Sequence, residues 1–173
     1  MVATAIRSGP HQGLLRWLDG NGIAHVVHEH RETFTAPGTA RAEGVDPHTF
    51  LKIVAIRAAD GRTVLAAVEA TEHVDLRKIR RILGRGEVRL LTEQEMSDLA
   101  PDCDVGAIPA VGRLFDLPLI ADFALRDAAA VSFNAGSHRW SVRVERAAWE
   151  HAAGVLYADI ASGEDDRPAW VLS

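Results

Sequence analysis

Two apolar runs joined by a short polar turn stand at the centre of the sequence. Residues 51–56 and 63–68 are apolar at nearly every position, which is typical of strands that are buried on both faces. Asp60 and Gly61 lie between them, and this pair is a hairpin signal. The pattern therefore predicts an antiparallel hairpin in the core, with Lys52 as its one charged position near the strand start.

Helix start and stop signals occur on both sides of this hairpin. Thr35, Asp75 and Thr92 each stand directly before a helical pattern, where their side chains cap free backbone N–H groups, and Glu95 completes a capping box with Thr92. Gly44 and other glycines or prolines follow the helices as stop signals. The predicted helices cover roughly 14–18, 36–43, 76–83, 93–99 and 148–152.

Further short apolar segments predict strands before and after the central hairpin. The predicted strands are 23–30, 51–56, 63–68, 88–91, 119–122, 131–134 and 141–144, with a hairpin turn at 135–138. Hairpins and crossovers alternate without a repeating βαβ unit, so the pattern indicates an α+β fold with a mixed sheet of about seven strands flanked by helices. We expect one domain over 1–173, with a loose leader at 1–10 and an acidic tail at about 163–173.

Composition narrows the class of protein. The chain has 173 residues, 47% hydrophobic and 25% charged, which is enough for one substantial core. No apolar run approaches the ~20 residues of a membrane span, and the N-terminus lacks the pattern of a secretory signal. A single cysteine excludes an intramolecular disulfide and fits a reducing cytoplasm. The net charge of −5 argues against broad, non-specific binding of nucleic acid. We therefore expect a cytoplasmic protein that is a monomer or a weak homodimer and does not bind membranes.

Three histidines close together raise the possibility of a metal site. His25, His28 and His30 occur on one predicted strand, but no cysteine or carboxylate cluster completes a ligand set around them. A solvated strand face explains them better, and we predict neither a metal nor a cofactor. Cys103 lies between Asp102 and Asp104, which would favour its neutral thiol, so we do not expect it to be a nucleophile.

Lys52 and two glycine-containing segments are the candidates for chemistry. A lysine is rarely buried unless paired, and Lys52 either reaches water at the strand end or has a function in a pocket. The loop from Gly106 to Gly112 is either a connector or a site where backbone approaches a ligand. Gly136 either lies close to a bound ligand or is simply the residue that provides a positive φ in a hairpin turn, and the turn alone accounts for it well.

Taken together, these features resemble the YbaK family, which includes the editing domain inserted in bacterial prolyl-tRNA synthetases and its free-standing relatives. The resemblance spans roughly 14–149. It is carried by the strand that starts at Lys52, the hairpin after it, the helix start at Asp75, the Phe34-Thr35 pair before a helix, and the glycine loop that starts at Gly106. One departure lies in that loop: where the family has proline this chain has Ala110, and Pro109 comes one residue early.

The resemblance implies a function and a set of site residues. It implies a YbaK-like curved sheet and a trans-editing aminoacyl-tRNA deacylase that uses neither a metal nor a covalent intermediate, with Lys52 and Gly106 as the catalytic residues. The residues that it implies for substrate binding are Phe34, Thr35, Ala107, Ile108, Pro109, Gly112, Gly136, Ser137 and His138. The resemblance makes Ser137 and His138 available for hydrogen bonds to the substrate, and the sequence alone does not support His138 as a general base. Mischarged tRNA is the implied partner, together with an aminoacyl-tRNA synthetase.

One dense basic run lies on the helix after Asp75 and just beyond it. It consists of Arg77, Lys78, Arg80, Arg81, Arg85 and Arg89, of which Arg77, Lys78, Arg81 and Arg85 are the candidates for contact with tRNA phosphates. A solvated helix face is the alternative. Two other functions also remain open: a non-catalytic module that binds a small molecule or nucleic acid in the same pocket, favoured by Ala110, and a hydrolase of aminoacyl esters unrelated to tRNA.

Overall fold

The central hairpin forms as the apolar pattern predicts. In this computed structural model, which describes residues 9–84 and 86–162, it consists of strands β2 (Leu51–Ala58) and β3 (Thr63–Glu69). Strand β2 extends two residues beyond its apolar run, towards the turn, and β3 extends one residue beyond its run, at the end away from the turn. Gly61 has a φ of +89° in the turn, a conformation that glycine adopts without a steric cost.

The hairpin is the middle of a five-stranded mixed sheet. The order is β5-β2-β3-β6-β9, in which β5 (Val88–Leu90) pairs antiparallel with β2, while β6 (Leu119–Asp122) and β9 (Leu156–Ala158) continue in parallel beyond β3. A second sheet is three-stranded and antiparallel, in the order β1-β8-β7. Its strands are β1 (His25–Glu29), β7 (Ala130–Ser137) and β8 (Trp140–Glu145).

The described residues contain five α-helices, which match the predicted ones closely. They are α1 (Gln12–Gly20), α2 (Ala36–Glu43), α3 (Leu76–Leu83), α4 (Glu93–Leu99) and α5 (Arg146–Ala153). The capping predictions are confirmed, because Thr35, Asp75 and Thr92 each accept a hydrogen bond from a backbone N–H of the first turn. The sequence pattern predicted about seven strands, which is too few. Ten strands lie in the described residues, and the additional ones, β4 (His73–Val74), β9 and β10 (Ala161–Ser162), are too short to show alternation.

The hydrophobic core explains why β2 and β3 carry apolar side chains on both faces. One face of the five-stranded sheet, including Leu65, shares a core with Phe133 of the three-stranded sheet and Trp149 of α5, and both of these aromatic residues are fully buried. The other face, including Ile56, packs against Ile79 of α3. A smaller cluster around Phe50 and the alanines of α2 holds this helix against the start of β2. The result is a single α+β domain whose first β2 residues lie beside α2.

One predicted turn was misplaced. The hairpin between β7 and β8 turns at His138 and Arg139, and the pairing is irregular between Asn134 and Ser137. Gly136, with a φ of +84°, lies at this irregularity inside β7 and not in the turn itself. A β-bulge accommodates an extra residue and bends the strand, and Gly136 provides the positive φ that this bend requires.

Candidate active site

A cavity of about 550 Å³ opens between α2 and the start of β2. Its walls come from the segment from Thr33 to Thr39, from the first four residues of β2, and from the chain between β3 and β4. The residues that line it are Thr33, Phe34, Thr35, Ala36, Pro37, Thr39, Leu51, Lys52, Ile53, Val54, Ala70, Thr71, His73, Gly106, Ile108 and Asn134. Five of these residues, Lys52, Gly106, Phe34, Thr35 and Ile108, were candidates from the sequence.

Lys52 is held at the cavity by the central sheet. It pairs with Val68 of β3 and is half-buried, as are the two residues that follow it in β2. Further along the same strand Ala55 and Ile56 are buried, so the half-buried part of the strand is the part that borders the cavity. An ammonium on a rigid strand in such a partly enclosed space is a positioned hydrogen-bond donor and positive charge.

The loop that carries Gly106 is fixed by the edge of β7. Gly136 accepts a hydrogen bond from the Asp104 N–H (2.8 Å) and donates its own N–H to the Ala107 carbonyl (3.0 Å). A second backbone donor, the His138 N–H, reaches Asp104 Oδ2 at 3.1 Å. Gly106 itself has a φ of +84°. Glycine is therefore required here by backbone conformation, and its small size leaves the loop backbone open towards the cavity.

His138 lies at the rim, where its role is to hold the loop. Its Nε2 is 2.8 Å from the Val105 carbonyl oxygen, which only accepts hydrogen bonds, so Nε2 carries a proton. Phe34 packs on the same imidazole with ring centroids 5.1 Å apart, and it is 74% exposed. His138 Nε2 therefore donates a hydrogen bond that holds the loop at Val105. The exposed Phe34 ring forms an aromatic edge of the cavity.

Thr35 contributes to the site mainly through its helix. Its Oγ1 accepts a hydrogen bond from the Gly38 N–H (3.1 Å), which caps α2 at the point where the helix meets the cavity. Pro37 occupies the first turn of α2, where its missing N–H leaves no partner unsatisfied. This local sequence sets the direction of α2 and so the position of the cavity wall.

The other predicted substrate residues do not line the cavity. Ala107 and Pro109 are buried in the loop, and the Ser137 hydroxyl accepts a hydrogen bond from the Arg139 N–H. Gly112 serves packing, because a Cβ at this position would lie 2.2 Å from the Leu117 carbonyl oxygen. Gly136 acts through the loop, as described above.

Ala110 departs from the family pattern. It is fully buried, and its carbonyl oxygen accepts a hydrogen bond from Trp149 Nε1 at 2.6 Å. The loop is thus fixed at this residue by a core side chain.

The structure adds polar residues that sequence reasoning missed. Thr33, Thr39 and Asn134 line the cavity, and the buried Asn134 Oδ1 has no hydrogen-bond partner among the described residues. A buried acceptor without a partner is unfavourable, so Asn134 Oδ1 is a natural contact for a ligand donor. Its position two residues before Gly136 was the available signal, since the resemblance already implied substrate binding by Gly136, Ser137 and His138.

The basic run divides into surface and structural residues. Lys78 Nζ lies 2.7 Å from both Asp159 Oδ1 and the Ala161 carbonyl, and the hydrogen bond to Asp159 raises the pKa of Lys78. It joins α3 to the β9–β10 connection. Arg77 is paired with Asp75 (3.1 Å), and this hydrogen bond lowers the pKa of the Asp75 carboxyl.

Three arginines form a second concave surface. A depression of about 520 Å³ is lined by Arg77, Arg80, Arg81 and Gly84. Arg80 lies 4.0 Å from Glu87 and remains largely exposed. The predicted contact at Arg85 falls outside the described residues.

The three strand histidines do not form a metal site. His30 is buried against Glu43, with 3.6 Å between Nε2 and Oε1, whereas His25 Nδ1 lies 2.8 Å from the Ile23 carbonyl. Among the described residues, a different group brings three ligand atoms within 4.8 Å of one another: His11, Asp102 and Cys103.

The state of the His11 ring opposes a metal at that group. His11 Nδ1 accepts a hydrogen bond from the Leu14 N–H (3.0 Å), so the neutral ring carries its proton on Nε2, 2.7 Å from Asp102 Oδ2. The nitrogen that faces the group therefore has no lone pair for a metal.

None of the helices in the described part of the chain has the length and apolar character needed to cross a bilayer.

Comparisons with known proteins agree with this architecture. A crystal structure of a candidate trans-editing enzyme for prolyl-tRNA synthetase superposes with a TM-score of 0.75 at 25% identity, covering 87% of this chain and 95% of that one. The hypothetical protein APE2540 superposes with a TM-score of 0.78 at 19% identity, over 86% and 99% of the two chains. A scaffold protein used for computational epitope grafting gives 0.76 at 24% identity, over 87% and 96%. A search of curated proteins finds no match.

The sequence also matches a family model directly. The model of the aminoacyl-tRNA editing domain matches residues 30–151, which include all three walls of the cavity, the glycine loop and the arginine depression. Because this match covers well over half of the sequence, the chain belongs to the aminoacyl-tRNA editing domain family.

Proposed function

We propose that the protein is a free-standing aminoacyl-tRNA deacylase, which hydrolyses the ester bond between a mischarged amino acid and the 3′ end of tRNA. One observation carries the proposal. In a chain of the editing family, the Lys52 side chain on a rigid strand and the open backbone at Gly106 line the same cavity.

The proposed chemistry depends on position and charge. Attack of water on an ester carbonyl produces negative charge on the oxygen, and fixed donors that face this oxygen lower the barrier. Lys52 is the charged donor in this mechanism, and the backbone of the Gly106 loop holds the carbonyl. Asn134 Oδ1 accepts a hydrogen bond from the α-ammonium that every aminoacyl group carries, which satisfies its buried acceptor.

The remainder of the tRNA binds outside the cavity. Phe34 offers an exposed ring on which the terminal base stacks, because stacking on aromatic side chains is the usual way that proteins hold unpaired bases. Arg77 and Arg81 contact phosphates from the depression on α3, with Arg80 beside them. We assign no contact to Lys78, because its ammonium is already bonded to Asp159 and the Ala161 carbonyl.

The cellular setting follows from this activity. Editing of mischarged tRNA occurs where tRNA is charged, so we propose a cytoplasmic protein that acts on tRNA released from a synthetase. Hydrolysis needs no bound cofactor in this scheme.

A panel of mischarged tRNAs tests the proposal. Each tRNA carries a labelled amino acid, and the release of label is followed with enzyme in excess over tRNA. We expect rapid release from at least one member and slow release from correctly charged tRNA. Binding of tRNA or aminoacyl analogues without release from any member would instead identify a binding module, and release from simple aminoacyl esters alone would identify an esterase.

A further inference from the structure

Two threonine hydroxyls in the cavity wall are hydrogen-bonded in series. Thr33 Oγ1 and Thr39 Oγ1 are 2.6 Å apart, and Thr39 Oγ1 donates to the Thr35 carbonyl oxygen at 3.0 Å. Both threonines line the cavity, Thr39 being 1% exposed and Thr33 half-buried. The pair is not explained by capping of α2, which the Thr35 hydroxyl performs.

The direction of the protons in this series is determined by the carbonyl at its end. A hydroxyl has one proton, and Thr39 gives its proton to the Thr35 oxygen, which only accepts. Thr33 must therefore be the donor between the two hydroxyls. The Thr33 hydroxyl proton is used in the hydrogen bond to Thr39 Oγ1, so Thr33 Oγ1 can only accept a further hydrogen bond. This part of the wall accordingly offers an acceptor to a ligand.

Volume alone does not explain how the cavity selects its ligand. About 550 Å³ accommodates small amino acids of several kinds together with part of a terminal nucleoside, and a difference of one methyl-sized group is a weak basis for selection. A fixed acceptor discriminates differently, because a substrate that donates a hydrogen bond gains a partner and an apolar isostere leaves the oxygen desolvated.

We propose that Thr33 Oγ1, oriented by Thr39, selects aminoacyl groups with a side-chain hydroxyl, serine and threonine, over the apolar alanine and valine. This inference rests on the proposed deacylase function, and it assigns Thr33 to the side chain because Asn134 Oδ1 takes the α-ammonium that all substrates share. Thr33 is the specificity-determining residue, and Thr39 is a positioning residue that fixes the direction of its proton.

Binding of two non-hydrolysable ligands tests the inference without any catalytic step. The ligands are adenosine analogues that carry seryl or alanyl groups through a 3′-amide, and their affinities are measured by calorimetry. We expect the seryl analogue to bind about tenfold more tightly than the alanyl analogue, in line with one net hydrogen bond. In Thr33→Val, which keeps the shape of the side chain, the ratio falls to about one.

Thr33→Ser is the matched control, because it keeps the hydroxyl and loses only the methyl group. It retains the seryl preference if the hydrogen bond is responsible. Equal binding of both analogues by the wild type, an unchanged ratio in Thr33→Val, or no binding of either analogue overturns the inference. The two proposals can fail separately. Release of alanine and serine from tRNA at equal rates would refute the selection and keep the deacylase, whereas no release from any mischarged tRNA would refute the proposed function itself.

Discussion

Gly136 donates its backbone N–H to the carbonyl oxygen of Ala107 across 3.0 Å, which joins the bulge of β7 to the loop at the cavity. The bond is possible because the bulge turns the Gly136 N–H away from β8, where a regular strand would direct it to its neighbour. Gly136 thus influences the site without lining it. This relationship yields a prediction at a residue that sequence comparison would assign to direct contact.

Gly136→Ala is expected to lower both stability and activity. The backbone has a φ of +84°, and the new Cβ would lie 2.9 Å from the His11 Cβ. Positive φ at a non-glycine residue costs about 1–3 kcal/mol, and the contact adds to it. Gly61→Ala is the control, since Gly61 has a φ of +89° with open space around it. Thermal melting and deacylation of both variants check the prediction, which fails if the two behave alike.

Gly106→Val is expected to abolish deacylation and to destabilise the fold only moderately. A β-branched side chain at a φ of +84° is strained, and it would also obstruct the loop backbone at the cavity. Gly61→Val carries the same strain in a distant turn. We expect similar melting temperatures for the two valine variants, with activity retained in Gly61→Val alone. An active Gly106→Val protein would remove this loop from the site.

The arginine depression predicts a change in the salt dependence of tRNA binding. Arg77→Gln with Arg81→Gln removes two positive charges without placing a carboxylate beside Asp75, the partner of Arg77. We expect weaker binding, with the slope of log affinity against log salt reduced by about 1–2. Fluorescence anisotropy over a salt series measures this slope, and Arg126→Gln serves as a control outside the run. An unchanged slope in the double variant would indicate a solvated face.

Glu95 predicts a pH dependence of stability at α4. Its hydrogen bond from Arg89 lowers the pKa of the Glu95 carboxyl from 4.5 to about 2. A carboxyl with a lowered folded-state pKa stabilises the protein above its ordinary pKa, and this contribution is lost as the pH falls towards the folded value. The wild type should therefore exceed Glu95→Gln in stability at pH 7 and lose the advantage between about pH 4.5 and pH 2. Urea unfolding across this range checks the trend, and a constant difference would contradict it.

Local signals accounted for most of the fold. Thr92 and Glu95 lie three positions apart and form a capping box, which is a signal of a helix start that can be recognised from neighbouring residues alone. The same holds for Thr35 and Gly44 at the two ends of α2. Lys52 stood out because a charge in an apolar run conflicts with its surroundings, and conflicts of this kind occur at functional sites.

Long-range contacts account for what the sequence did not reveal. Lys78 looked like part of a basic face, but its partner Asp159 lies 81 positions away in the chain. Gly112 looked like a loop glycine at the pocket, but the Leu117 carbonyl occupies the space beside it. The Thr33–Thr39 pair became visible only when the direction of each hydrogen bond was known.

Single-turnover hydrolysis by Lys52 variants tests the central claim most directly. Lys52→Ala is expected to slow deacylation at least about a hundredfold, as for the loss of one donor to a developing oxyanion. Lys52→Arg should also fail, because a planar guanidinium does not replace a compact ammonium. Lys78→Ala, the matched lysine control, should lose some stability and keep its rate, since its ammonium is bonded to Asp159. Melting curves for all three variants separate unfolding from lost chemistry.

The decisive comparison is the rate of a folded Lys52→Ala protein beside that of the wild type on the same mischarged tRNA. A loss of about two orders of magnitude, with a melting temperature close to that of the wild type, is the result that the proposed mechanism predicts. Rates near the wild-type value in both Lys52→Ala and Lys52→Arg would contradict it, and would leave Lys52 as a side chain that only reaches solvent from the strand end.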